Sequence, residues 1–98
     1  MSVVYEVTAV VRYELAPDFE KYMRGRHIPD VLATGCFTGA EFLSASGGRY
    51  SMRYTAADLA ALEGYLESES PRLRADFAAR FPEGVTAERE VWTTVETF

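Results

Sequence analysis

From Val3 to Glu14 the chain alternates strictly. Tyr5, Val7, Ala9, Val11 and Tyr13 fall on one side, and Glu6, Thr8, Val10 and Arg12 on the other. Successive side chains of extended backbone point to opposite faces, so period two carried by β-branched and aromatic residues predicts a half-buried strand. This is the most clearly marked element in the sequence, and every later element has to pack against it or pair with it.

Ala16-Pro17-Asp18 opens a helix with Pro in the first turn, where its missing N–H costs nothing, and Asp18 and Glu20 lie at the positive end of the dipole. Phe19, Tyr22 and Met23 recur at helical spacing and form the expected buried stripe. Pro29 predicts a kink around Arg26–Ile28, followed by a short helical turn through Val31 and Leu32 that ends at Gly35.

Cys36 to Ala45 reads as a second strand, weakened by Gly39, and Ser46-Gly47-Gly48 as a turn into a third strand, Arg49 to Thr55. Thr55-x-x-Asp58 resembles a capping box for a helix with Leu59, Leu62 and Leu66 on one face. Ser70-Pro71 restarts a helix with the stripe Leu73, Phe77 and Phe81, and Val85 to Glu96 is the last strand. Strand, helix, hairpin, helix, strand is the βαββαβ order of a single ferredoxin-like α+β domain over residues 1–98. Right-handed crossovers place the first and third strands in the middle of a four-stranded antiparallel sheet, with both helices on one face. The helix-facing set is then Tyr5, Val7, Ala9, Val11, Tyr50, Met52 and Tyr54. The other face carries Glu6, Thr8, Val10, Arg12, Ser51, Arg53 and Trp92.

Composition narrows the function classes. A net charge of −5 disfavours nucleic acid, which is held through a basic surface. Cys36 is the single cysteine, so no internal disulfide and no zinc ligand set is available, and neither a metal nor a cofactor is expected. Met1–Tyr13 lacks the basic start and continuous apolar run of a signal peptide, and no apolar stretch is long enough to span a membrane. A cytoplasmic location is the expectation.

His27 is the only histidine and sits at the helix break before Ile28-Pro29-Asp30. It either caps helical carbonyls or serves a pocket as acid, base or ligand contact. Asp30 either caps the turn after Pro29 or pairs with His27 and raises its pKa. Cys36 is a small buried apolar residue or, with His27 as base, a nucleophile; the first is the commoner outcome. Arg12 and Arg53 face the same way and either grip a carboxylate or phosphate together or are neutralised by Glu6. No Gly-rich phosphate loop, nucleophile elbow or zinc-protease helix is present.

The block His27-Ile28-Pro29-Asp30-Val31-Leu32-Ala33-Thr34-Gly35-Cys36-Phe37, with Pro71-Arg72-Leu73-Arg74, Phe81-Pro82 and the opening Tyr5-Glu6-Val7, resembles an uncharacterised family of short bacterial proteins, domain of unknown function 4286. The resemblance implies a dimeric ferredoxin-like fold and no activity. More distantly, fold and length are similar to the dimeric α/β-barrel superfamily, which includes cofactor-free monooxygenases, polyketide cyclases and lactone isomerases. None of their catalytic motifs matches here. Three functions follow as expectations. The first is a homodimer binding a small molecule in a pocket lined by His27, Phe37, Tyr54 and Trp92, with an arginine orienting an anionic group. The second is a cofactor-independent barrel-type enzyme with His27 as proton shuttle. The third is a protein-interaction module using the open sheet or the acidic surface at Glu63, Glu67 and Glu69.

Overall fold

A computed structural model describes residues 1–98. Its strands are β1 (Val3–Val11), β2 (Gly39–Ala45), β3 (Arg49–Ala56) and β4 (Val85–Thr93), in the sheet order β2-β3-β1-β4. All pairings are antiparallel, with Glu6 opposite Arg53 on β3 and Glu90 on β4. The helices are α1 (Ala16–Tyr22), α2 (Ile28–Ala33), α3 (Leu59–Ser68) and α4 (Ser70–Arg80), all on one face of the sheet. This is the ferredoxin-like α+β arrangement read from the sequence, with β1 and β3 central.

Register follows the alternation. Tyr5, Ala9, Val11, Tyr50, Met52 and Tyr54 are all buried beneath the helices. β1 nevertheless stops at Val11, two residues short of Tyr13. The Val11 N–H donates to the Gly48 carbonyl and the Arg12 N–H to that of Gly84, both at 2.8 Å. Beyond those glycines neither neighbouring strand continues, so the chain turns through Tyr13–Leu15 and leaves Tyr13 91% exposed.

Other boundaries also move for local reasons. β2 begins at Gly39, after the Thr38 N–H bonds the Thr55 carbonyl at 2.7 Å; Cys36 and Phe37 lie in the lead-in. Thr55 is still in β3, and Asp58 itself caps α3 by accepting from the Ala61 N–H at 2.9 Å. The buried face of α3 is Leu62 and Tyr65, whereas Leu59 and Leu66 are exposed. Ser70 is the buried first residue of α4, and Glu69 takes the capping position.

The core is built largely from two aromatic groups. Phe37 packs on Tyr65 with ring centroids 4.8 Å apart and on Tyr54 at 5.3 Å, with Tyr5 stacked beside it. Phe19, fully buried, packs on Tyr50 at 4.9 Å and Phe81 at 5.8 Å, with Phe42 and Phe77 at its rim. Between the two groups the packing is incomplete, and the site lies there.

Candidate functional site

Pro29 shapes one wall of the site. It has no N–H for the Gly25 carbonyl, so a regular α-helix through it would leave that acceptor orphaned. Instead Met23–His27 widen into a π-helical turn, closed by the Ile28 N–H donating to the Met23 carbonyl, and the chain runs on into α2 without a free end. The kink predicted at Arg26–Ile28 is thus a wide turn. His27 stands within continuous helical backbone (φ −64°, ψ −54°), with no helix end beside it to cap.

The π-turn aims Met23 and His27 at a cavity of about 50 Å³ between sheet and helices. β1 and β3 contribute Tyr5, Val7, Met52 and Tyr54, α4 contributes Leu73, Arg74 and Phe77, and β4 contributes Arg89. The volume is enough for a few waters and well short of a drug-sized ligand site. The His27 ring lies 5.5 Å from Phe77 and 5.9 Å from Tyr22, centroid to centroid, and makes no side-chain hydrogen bond within the chain. Burial holds its pKa below 6.5; Asp76 and Asp30 pull upward, and Arg89 pushes down. Asp30 therefore acts in the expected direction, but burial outweighs it and the imidazole is neutral at pH 7. Asp76 is already engaged, accepting from the Tyr22 hydroxyl at 2.7 Å and from Arg26 at 2.8 Å.

Of the residues singled out in the sequence, His27 and Tyr54 meet at this cavity. Phe37 is core beneath Tyr54 rather than lining. Cys36 is half-buried, its thiol directed to the Thr34 carbonyl at 3.9 Å and its N–H bonded to the Thr34 hydroxyl, with no base in contact. Asp30 lies in the first turn of α2.

Trp92 is placed differently from the pocket expectation. It is on the open face, opposite Val4 in the register, and its indole Nε1 donates to Glu6. Nor do Arg12 and Arg53 form a clamp. Arg53 pairs with Glu6 at 2.8 Å, whereas Arg12, six residues further along the chain and roughly 20 Å away at strand rise, pairs with Glu14 at 2.6 Å.

Glu6, offered by the sequence as the group that neutralises one of these arginines, does so for Arg53 and also accepts from Ser51 and Trp92 on the open face. Sequence reasoning missed Arg74 and Arg89. Arg89 had a readable signal, because it occupies the same parity as Val85, Ala87 and Val91 in β4, a charge at an otherwise apolar helix-facing position.

The fold is that of dimeric α/β-barrel proteins. SnoaB, a cofactor-independent oxygenase from Streptomyces nogalater, superposes with a TM-score of 0.76 at 16% identity, covering 98% of this chain and 95% of that one. MhuD, a heme-degrader from Mycobacterium tuberculosis solved with two hemes in its active site, superposes with a TM-score of 0.74 at 21% identity over 98% of each chain. MupZ from Pseudomonas fluorescens gives a TM-score of 0.70 at 14% identity, over 92% of this chain and 69% of that one. No curated protein matches the sequence. No helix is long and apolar enough to cross a membrane. A family model matches residues 2–95, nearly the whole length, and the chain belongs to that family, the domain of unknown function DUF4286.

Proposed function

We propose that this protein is a small-molecule-binding homodimer whose ligand enters the space between sheet and helices beside His27. The observation that carries the reading is the cavity itself. It is an under-packed region walled by apolar and aromatic side chains, with one neutral imidazole that has no hydrogen-bond partner in the chain. A polar group left unpaired beside an apolar space is the arrangement by which binding sites fix a ligand's orientation. Met23 and Met52 in the wall are flexible, so the space can widen around a guest. The heme seen in MhuD does not fit a cavity of about 50 Å³.

The dimer part rests on the open face. Val10 and Trp92 are more than half exposed there and Leu43 over a third, and Val10 and Leu43 border a concavity of about 660 Å³ floored by β1 and β3. A second copy laid on this face would cover them. Light scattering at micromolar concentration should give twice the 11.0 kDa chain mass; a monomer removes the dimer. For the pocket, a fragment screen by NMR should yield hits that shift the Met23 and Met52 methyls and the His27 ring. Hits confined to the open face defeat it.

A second reading is favoured by the neutral state of His27: a cofactor-independent enzyme in which the imidazole takes a proton from a bound carbonyl or aromatic compound. It predicts exchange of the compound's acidic C–H with deuterated solvent, abolished in His27→Ala while binding persists. Binding without exchange leaves the binder reading alone.

A further inference from the structure

The arginines of this chain are nearly all spoken for. Arg12, Arg24, Arg26, Arg53, Arg72 and Arg80 each pair with a carboxylate, and Arg49 donates to the Ser46 carbonyl at 2.9 Å. Arg74 and Arg89 are the two without a partner. Shortage of acid does not explain this, because Asp and Glu number 15 against 10 Lys and Arg.

Both free arginines stand at one place. They line the inner cavity, and they also line a groove of about 560 Å³ on the outside, the two spaces sharing Tyr5 and Ser70 as well. The groove wall carries Leu66 and Val91, two of the chain's exposed large hydrophobics. The guanidinium groups therefore mark the neck between an apolar chamber and an apolar groove. Their charges reach inward too: Arg89 disfavours the protonated state of His27, and Arg74 acts on Tyr65. Two planar cationic forks beside apolar walls, with no internal anion, suit an oxyanion carried on an apolar body.

We infer that the ligand is an amphiphilic organic oxyanion, a carboxylate or phosphate, whose anionic group lies at Arg74 and Arg89 and whose apolar part reaches the chamber beside His27. This rests on the pocket reading above and names the ligand class for it. The outer groove supplies room that the chamber lacks.

The test compares benzoate, phenyl phosphate and the neutral benzamide on the intact protein at pH 7.5, by calorimetry and methyl NMR. At least one anion should bind about tenfold more tightly than benzamide, a preference that salt weakens, and the better anion distinguishes carboxylate from phosphate. In the double variant Arg74→Gln/Arg89→Gln the preference should vanish, the anions binding no more tightly than benzamide. Both positions are exposed, so the fold tolerates the change. Equal affinity for all three compounds, or a preference that survives the double variant, overturns the inference. If benzamide still shifts the Met23 and Met52 methyls in that case, the pocket reading stands without it. If none of the three compounds shifts them, both fall.

Discussion

The indole Nε1 of Trp92 donates to Glu6 Oε1 at 3.1 Å, while Glu6 Oε2 accepts from Ser51 Oγ and Arg53 Nε, both at 2.8 Å. Side chains from β3 and β4 thus converge on one carboxylate of β1 at the centre of the open face. The Arg53 hydrogen bond does most to hold the Glu6 pKa below 4.5, Ser51 adds to it, and desolvation opposes. The unfolded carboxylate takes up its proton at a higher pH than the folded one. The stabilisation is therefore present above about pH 4.5 and lost as pH falls through the folded value. Trp92 is the only tryptophan, so its emission reports on the cluster directly. Urea midpoints followed by that emission should fall between pH 5 and 3, and Glu6→Gln should be less stable at pH 7 with a flatter acid limb. An unchanged acid limb in Glu6→Gln would assign the pH dependence elsewhere.

His27 has the same sign by a different route. Burial lowers its folded pKa below 6.5, against the pull of Asp76 and Asp30 and with the help of Arg89. Below pH 6.5 the unfolded chain gains a proton that the folded chain resists, so stability is full above that pH and declines as pH falls toward the folded value. The expected outcome is a loss of stability from pH 7 to 5.5 that disappears in His27→Gln. NMR titration of the imidazole should give a midpoint under 6.5; one at or above it contradicts the buried placement.

Much of the fold was readable because alternation and helical spacing encode faces directly. The parity of β1 and β3 assigns each inward side chain, and the Phe19, Tyr22, Met23 stripe names the buried face of α1. Element ends were less readable, since they depend on partners distant in sequence: β1 stops where Gly48 and Gly84 take its N–H groups. The site was readable only as single residues. His27 stood out by its uniqueness, but that Pro29 would widen the helix and turn the imidazole inward is a property of the backbone hydrogen-bond ladder. The free state of Arg74 and Arg89 emerges only after every other arginine has found its acid, which needs the tertiary structure.

At high pH the core tyrosines Tyr65 of α3 and Tyr54 of β3 become the weak point. Burial raises the Tyr65 pKa to about 12, with Tyr5 adding to the shift, and raises that of Tyr54 as well. In the unfolded chain both ionise near 10, so the folded state is fully favoured below that pH and loses ground as pH rises toward the folded values. Absorbance at the phenolate band should show these two titrating late and together with unfolding. Tyr65→Phe should retain more of its neutral-pH stability at pH 11 than the parent does. An equal fractional loss in both proteins would count against Tyr65 as a contributor.

The hairpin between β2 and β3 separates two costs usually confounded at glycine. Gly47 and Gly48 both hold positive φ, +80° and +72°. A Cβ on Gly47 meets open space, whereas one on Gly48 would collide with the Val11 carbonyl oxygen. That carbonyl does not readily withdraw, because the Val11 N–H is bonded to the Gly48 carbonyl at 2.8 Å. Gly47→Ala therefore incurs the left-handed backbone penalty alone, roughly 1–2 kcal/mol. Gly48→Ala adds an overpacking cost and should lose roughly 3 kcal/mol or more. Gly47→Asn should be milder than Gly47→Ala, since Asn accepts this conformation, while Gly48→Asn should gain nothing because the collision remains. Equal losses for the two alanine variants in urea denaturation would show that β1 and the hairpin yield to each other more freely than their hydrogen bonds imply.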